Sequence, residues 1–237
     1  MRNFKSYYER MGKNVQEKTD FIIQELQTGD YNKVLDFGCA NGVVTEYLAQ
    51  MFPKIKFYGY DCAEVTNTNL ERQSQNPMGK EENVFYIEDL NPIIYKTNYG
   101  LCIDNKTLVI LSSVLHENFM QNHFTEKFEK AWYKYLRFAE AIAIRDMRGD
   151  FFLRQTNGIV QDLIARTLYR DNYKEEMEED YFSIQWWLLG DYMQNENYEK
   201  IYEHWYMNQY LKKKIPEINS LLCKTHCKQI WKRRKTL

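Results

Sequence analysis

No apolar run in the 237 residues approaches the ~18 that a membrane span needs, and the N-terminal MRNFKSYYERMGKN has no apolar signal core. Neither a spanning helix nor a secretory leader is expected, and the chain reads as cytoplasmic with no membrane partner. Prolines are scarce, four in all, and no internal repeat or low-complexity linker interrupts the sequence. The length therefore reads as a single domain, 1–237, with elaborations rather than as two equal domains. The cysteines Cys39, Cys62, Cys102, Cys223 and Cys227 are odd in number and irregularly spaced, which argues against a disulfide framework and for a reducing compartment. CKTHC at 223–227 resembles half a metal site, but no CxxC or HxxxH pair supplies the other half, so no metal is expected. A dominant charge sign is lacking too: the formal net charge is −1, split between an acidic EEMEED at 175–180 and basic KKK and KRRK at 212–214 and 232–235. The basic tail offers a surface to nucleic acid or an anionic substrate, or is simply the solvated end of surface elements.

What is present is an alternation. KVLDFG (33–38), KFYGYD (56–61), NVFYIEDL (83–90), TLVILSS (107–113) and AIAIRDM (141–147) are short runs rich in β-branched and aromatic residues, each reading as a buried strand. Between them lie helical patterns. Val44, Leu48 and Met51 form a stripe after the first strand, and Phe124, Phe128, Trp132, Leu136 and Ala139 a longer one before the fifth, with Glu126, Lys127, Glu129, Lys130 and Lys134 opposite. Residues 1–30 supply a leading helix over 15–28, with Phe21, Ile22 and Leu26 on one side, preceded by a YYER segment placed to act as a lid. After the fifth strand a helical insertion over 151–196 carries a stripe of Ile159, Val160, Leu163, Ile164 and Leu168, and then YFSIQWWLLGDYM. It is expected to cover one edge of the pocket and set substrate selectivity. Its aromatics, Tyr181, Phe182, Trp186, Trp187 and Tyr192, with Trp205 beyond, are suited to stacking a ring or simply to forming core. The tail 197–237 reads as strand (YEKIYEHWYM), helix (NQYLKKKI) and strand (HCKQIWKR). The expected fold is α/β: a doubly wound, mostly parallel, Rossmann-like sheet of seven strands with helices on both faces, binding its ligand beyond the carboxyl ends of the strands.

The first strand–helix junction, DFGCANG at 36–42, is the informative stretch. A glycine-rich turn lets backbone approach a ligand closely, and the N–H groups at a helix start favour a negative group. Here Asp36 stands two residues before Gly38. An ionised carboxylate at that spot would repel a diphosphate by roughly 1 to 4 kcal/mol and attract a cation instead. S-adenosyl-L-methionine fits, having a sulfonium, an ammonium, one carboxylate and no phosphate. Acids also follow at the ends of the second and third strands, Asp61 and Asp89. Asp61 lies 23 residues after Gly38, an offset at which an acid reaches ribose hydroxyls in nucleotide-binding βαβ units. Asp61 and Asp89 have a simpler reading as caps of the helices that follow.

Together the turn, Asp61, Asp89 and the fourth-strand LVILSSVLHE resemble the class I S-adenosylmethionine-dependent methyltransferases over roughly residues 10–150, and more weakly over the tail. The resemblance implies that Asp36, Gly38, Cys39, Ala40 and Gly42 cradle the methionine portion. It implies that Asp61 binds the ribose with Cys62 beside the adenine, that Asp89 with Leu90 meets the adenine amino group, and that Ser112 and Ser113 lie nearest the methyl. Ala40 stands where the family often has glycine, which is tolerated if that residue keeps a negative φ.

Methyl transfer from a sulfonium is an in-line displacement that depends mostly on alignment. A base is needed only when the nucleophile loses a proton, and His116 and Glu117 are the candidates. Arg145 and Asp146 are second choices, with mutual pairing as their simpler role. The N-P-P-Y and Pro-Cys signatures of DNA-base methylation are absent from the LSSV segment. That leaves small molecules, protein side chains and RNA sites as acceptors, a small molecule first, with an RNA site reached through the basic C-terminus, or a catalytically silent cofactor-binding partner or regulatory subunit, as alternatives. An NAD-linked oxidoreductase is disfavoured by Asp36 and by the glycine spacing. Acceptor identity and oligomeric state are not readable from the sequence.

Overall fold

A computed structural model of the chain describes residues 15–75, 81–88, 90, 103–115, 119–120, 123–147, 186–206 and 226–235. The YYER segment, Asp89, His116, Glu117, Cys223, the insertion up to 185, KKK at 212–214 and the helix expected from NQYLKKKI lie outside the described residues. The chain divides into two compact units, one of residues 1–112 and 131–143, the other of residues 113–130 and 144–237.

In the first unit the helix α1 (Val15–Thr28) leads into β1 (Lys33–Phe37), α2 (Val43–Met51), β2 (Lys56–Tyr60), α3 (Ala63–Gln75), β3 (Val84–Ile87) and β4 (Thr107–Ser112). β1 pairs in parallel with β2 and β4, and β2 with β3, so that Asp36 stands beside Gly59 on one side and Ile110 on the other. Val34, Leu35, Phe57, Tyr58, Leu108, Val109 and Ile110 are fully buried. Such runs, buried on both faces, are why the sequence shows continuous apolar strands rather than alternation. Phe21, Ile22 and Leu26 of α1 are buried as expected. The buried face of α2 is Thr45, Leu48 and Ala49, however, and Met51 is exposed. The expected stripe was out of phase because its small and polar members, which let a helix sit close to a sheet, carry no hydrophobic signal.

The second unit holds the short antiparallel pair β5 (Phe119–Met120) and β6 (His123–Phe124), then α5 (Trp186–Asn195) and the hairpin of β8 (Tyr198–Tyr206) with β9 (His226–Arg233). Helix α4 (Glu126–Lys134) and β7 (Ala141–Met147) are each divided between the units, and a short 3-10 turn (Leu136–Phe138) between them belongs to the first. Phe128, Trp132, Leu136 and Ala139 are buried as the stripe required. The stripe does not belong to one helix: Phe124 pairs with Phe119 in the small ladder, and Leu136 sits on the 3-10 turn.

The sheet has seven strands in the order β3-β2-β1-β4-β7-β9-β8, with the last pair antiparallel. Both tail segments are strands as expected. β9 is almost wholly buried, while β8, at the end of the order, exposes Glu199, Lys200, Ile201, Glu203 and His204. Among the described residues no helix is long and apolar enough to cross a membrane.

Candidate functional site

The turn leaving β1 is held from several directions. The N–H groups of Gly38 and Cys39 both donate to the carbonyl of Tyr60, at 2.8 and 3.0 Å, tying the turn to the end of β2. Gly38 and Gly42 have φ of +78° and +71°. At Gly42 a side chain is excluded twice, by the left-handed backbone and by the Tyr86 hydroxyl, which a Cβ would strike. Tyr86, on β3, donates to Glu46 Oε1 at 2.7 Å, and Glu46 in turn pairs with Arg72 at 2.6 Å.

Ala40 corrects an expectation. Its φ is +49°, not negative, a conformation that costs a residue with a Cβ about 1–2 kcal/mol. Its peptide groups are clamped on both sides: the N–H donates to Asp61 Oδ2 at 2.8 Å, and the carbonyl accepts from Asn69 Nδ2 at 2.8 Å. Asn69 lies on α3 and is 2% exposed. Strain of this kind persists only where the surroundings over-determine it, and it gathers at functional sites.

The acids differ in setting. Asp36 is 2% exposed and accepts the Thr45 hydroxyl at 2.7 Å. Burial raises its carboxyl, Thr45 opposes this and the charge of Asp61 adds to it, so that Asp36 is pushed up to about 6. Burial, followed by the charges of Asp36 and Asp61, pushes the Cys39 thiol well up. Its sulfur is therefore a neutral thiol packed close to Gly59, where a Cβ would come within 2.9 Å of it. Asp61 is half-buried; its Oδ1 accepts the N–H of Cys62, an exposed residue, at 2.8 Å. Leu90 is buried.

At the end of β4, Ser112 is half-buried. In the second unit Ser113 is a further residue in the left-handed region, with φ +59°. Its N–H donates to the carbonyl of Arg145 at 2.7 Å, and its hydroxyl accepts from Arg145 Nη1 at 2.9 Å. Arg145 Nε donates to the Tyr206 hydroxyl at 2.9 Å. Asp146 accepts the N–H of Leu115 at 2.8 Å. The ion pair expected between Arg145 and Asp146 is not what these residues form, since successive side chains on a strand face opposite ways.

The turn, Asp36, Cys39 and Asp61 are thus one cluster in the first unit. Sequence reasoning missed Thr45, Asn69, Tyr86 and Tyr206. One signal was available: a position usually held by glycine is often one that needs positive φ.

No protein-family model matches the chain. In sequence it is similar to malonyl-[acyl-carrier protein] O-methyltransferase of Bacillus cereus, 27% identical over 112 residues that make up 45% of this chain. The match takes in 40% of that protein, so the chain spans about two fifths of the length of this curated relative. In structure it resembles an O-methyltransferase family protein from Burkholderia thailandensis, with TM-score 0.61 and 12% identity over all of this chain and 61% of that one. It also resembles magnesium protoporphyrin IX methyltransferase from Synechocystis PCC 6803 with bound SAH, with TM-score 0.59 and 14% identity over 99% and 89% of the two chains. The fold is a methyltransferase fold. At these identities the structural likeness concerns the fold, and the three proteins differ in what their names say of an acceptor.

Proposed function

We propose that this chain is a class I S-adenosylmethionine-dependent methyltransferase that moves a methyl group by in-line displacement to a small-molecule acceptor. The observation that carries the reading is the position of Asp61, at the end of β2, joined through its carboxylate to the left-handed Ala40 of the glycine turn. The donor set fits such a cofactor. Each Asp61 oxygen accepts one backbone N–H, and a carboxylate oxygen has a further lone pair, which is what a ribose diol needs. The backbone from Gly38 to Gly42 would hold the methionine portion, and Cys62, Asp89 and Leu90 would border the adenine. Asp36 and Cys39 are covered side chains, so both would shape the turn, and Asp36, once ionised, would add negative charge beneath a cationic ligand.

The cofactor supplies an activated methyl on a good leaving group. The work left to the protein is to hold the acceptor in line and exclude water. Ser112, the last residue of β4, and Ser113 after it would border the methyl. His116 or Glu117 would take a proton from an acceptor that must lose one. The acceptor itself is not carried over from any relative.

Calorimetric titration with S-adenosylhomocysteine tests the reading. Micromolar binding is expected, weakened on the order of 100-fold in Asp61→Ala, since hydrogen bonds to a charged group contribute about 1.5–3 kcal/mol each. A folded wild-type protein that does not bind S-adenosylhomocysteine would overturn the proposal, as would a variant that binds it equally well.

A further inference from the structure

Arg145 is 4% exposed, so its guanidinium has been taken out of water. A charge removed from water is costly unless it is paired and hydrogen-bonded. Yet among the described residues no carboxylate makes an ion pair with Arg145, and its side-chain hydrogen bonds go to two hydroxyl oxygens, Ser113 Oγ and Tyr206 OH, both at 2.9 Å. A guanidinium has five N–H donors. Among the described residues Nε and one hydrogen of Nη1 are used, which leaves the other Nη1 hydrogen and both Nη2 hydrogens in the plane of a fork.

The surroundings are built. Ser113, whose hydroxyl takes one arm, is held in the left-handed region and tied by its own N–H to the Arg145 carbonyl at 2.7 Å. Tyr206, which takes the other arm, has Lys228 Nζ 4.6 Å from its ring centroid, His226 at 5.6 Å and His204 stacked at 5.9 Å. Asp146, the neighbouring acid, faces the N–H of Leu115. The two hydroxyls fix the guanidinium plane without neutralising it.

We infer that Arg145 is the recognition point for a carboxylate on the methyl acceptor, oriented by Ser113 and Tyr206. This rests on the methyltransferase reading for the word acceptor, but not for the binding itself. A planar fork with hydrogens left on both terminal nitrogens matches a carboxylate, which arginine binds through two parallel hydrogen bonds. The carboxylate is a handle rather than the nucleophile, because pairing with a guanidinium draws charge from its oxygens.

The test titrates the full chain, saturated with S-adenosylhomocysteine, with benzoate, phenylacetate and hexanoate, each beside its primary amide, and with phenylphosphonate. At least one carboxylate is expected to bind roughly 10- to 100-fold more tightly than its amide, the range that a charge-assisted hydrogen bond implies. That preference should vanish in Arg145→Met and shrink in Tyr206→Phe, with S-adenosylhomocysteine affinity unchanged in both. Carboxylates binding no better than amides to the wild-type protein would overturn the inference, as would a preference that survives Arg145→Met or a tighter fit for phenylphosphonate. Should Arg145→Met not fold, the wild-type comparison and Tyr206→Phe still decide. Failure of S-adenosylhomocysteine to bind strikes the methyltransferase reading alone, and the carboxylate arms run without it remain informative.

Discussion

Two alanine-sized decisions in this chain look alike and are not. Ala40 in the first unit and Ser113 in the second both hold a side chain at positive φ, +49° and +59°. Around Ala40 the protein closes every account itself: the N–H goes to Asp61, the carbonyl is met by Asn69, and the carboxylate of Asp36 below receives Thr45. Around Ser113 the described residues give a buried guanidinium hydroxyls rather than a carboxylate as its partners. The first arrangement is shaped by the protein's own groups, which suits the cofactor role proposed for it. The second has no counter-charge among the described residues, and on the inference above a ligand carboxylate would supply it.

The sharpest way to break this contrast is to disturb the closed arrangement. Gly42→Ala places a Cβ at φ +71° and into the Tyr86 hydroxyl, which Glu46 holds in place. Left-handed strain and overpacking together predict a stability loss of about 3 kcal/mol by chemical denaturation. Made in a Tyr86→Ala background, Gly42→Ala should cost only the strain share, about 1–2 kcal/mol. A near-neutral Gly42→Ala would mean that the turn is soft, and the contrast would lose its rigid half.

Asp36 tests the same half through pH. Its folded carboxyl is raised to about 6, so between the ordinary carboxylate range and pH 6 the native state holds a proton that the unfolded chain has released. Stability from this group is therefore fully present at low pH and lost as pH rises towards 6. Asp36→Asn should remove that slope and, read as the difference from wild type, shift relative stability across the window by roughly 3 kcal/mol, with the variant gaining towards neutral pH. Thermal melts from pH 4 to 8 measure it. Parallel profiles for the two proteins would show that Asp36 is not sealed in the way its burial requires.

Much of this arrangement was written in the sequence and some could not be. Strands buried on both faces announce themselves as apolar runs, and β1, β2, β4 and β7 fell close to where KVLDFG, KFYGYD, TLVILSS and AIAIRDM placed them. The turn was legible because two glycines and an acid sit between a strand and a helix. The phase of α2 was not, because Thr45 and Ala49 bury without being strongly apolar. Asn69 and Tyr206 were invisible for another reason: their partners lie 29 and 61 residues away in the chain, and a hydrogen bond across such a distance leaves no local pattern. Ala40 was misjudged for want of weight on the one clue available, that glycine is common where φ must be positive.

The smallest predicted effects separate the two residues most directly, because one substitution should act with opposite sign at each. Ala40→Gly removes a left-handed penalty of about 1–2 kcal/mol, while the added freedom of the unfolded chain returns roughly 0.5–1 kcal/mol. The two backbone hydrogen bonds at residue 40 need no side chain and are kept. A net gain of a few tenths to about 1 kcal/mol is expected. Ser113→Gly relieves a similar strain, but it deletes the hydroxyl that accepts from Arg145 Nη1. A buried charged donor left without its acceptor costs about 1–3 kcal/mol, which outweighs the relief. Denaturant midpoints should thus move up for Ala40→Gly and down for Ser113→Gly. If both rise, the Ser113 hydroxyl is not holding the guanidinium, and the orientation argued for Arg145 goes with it.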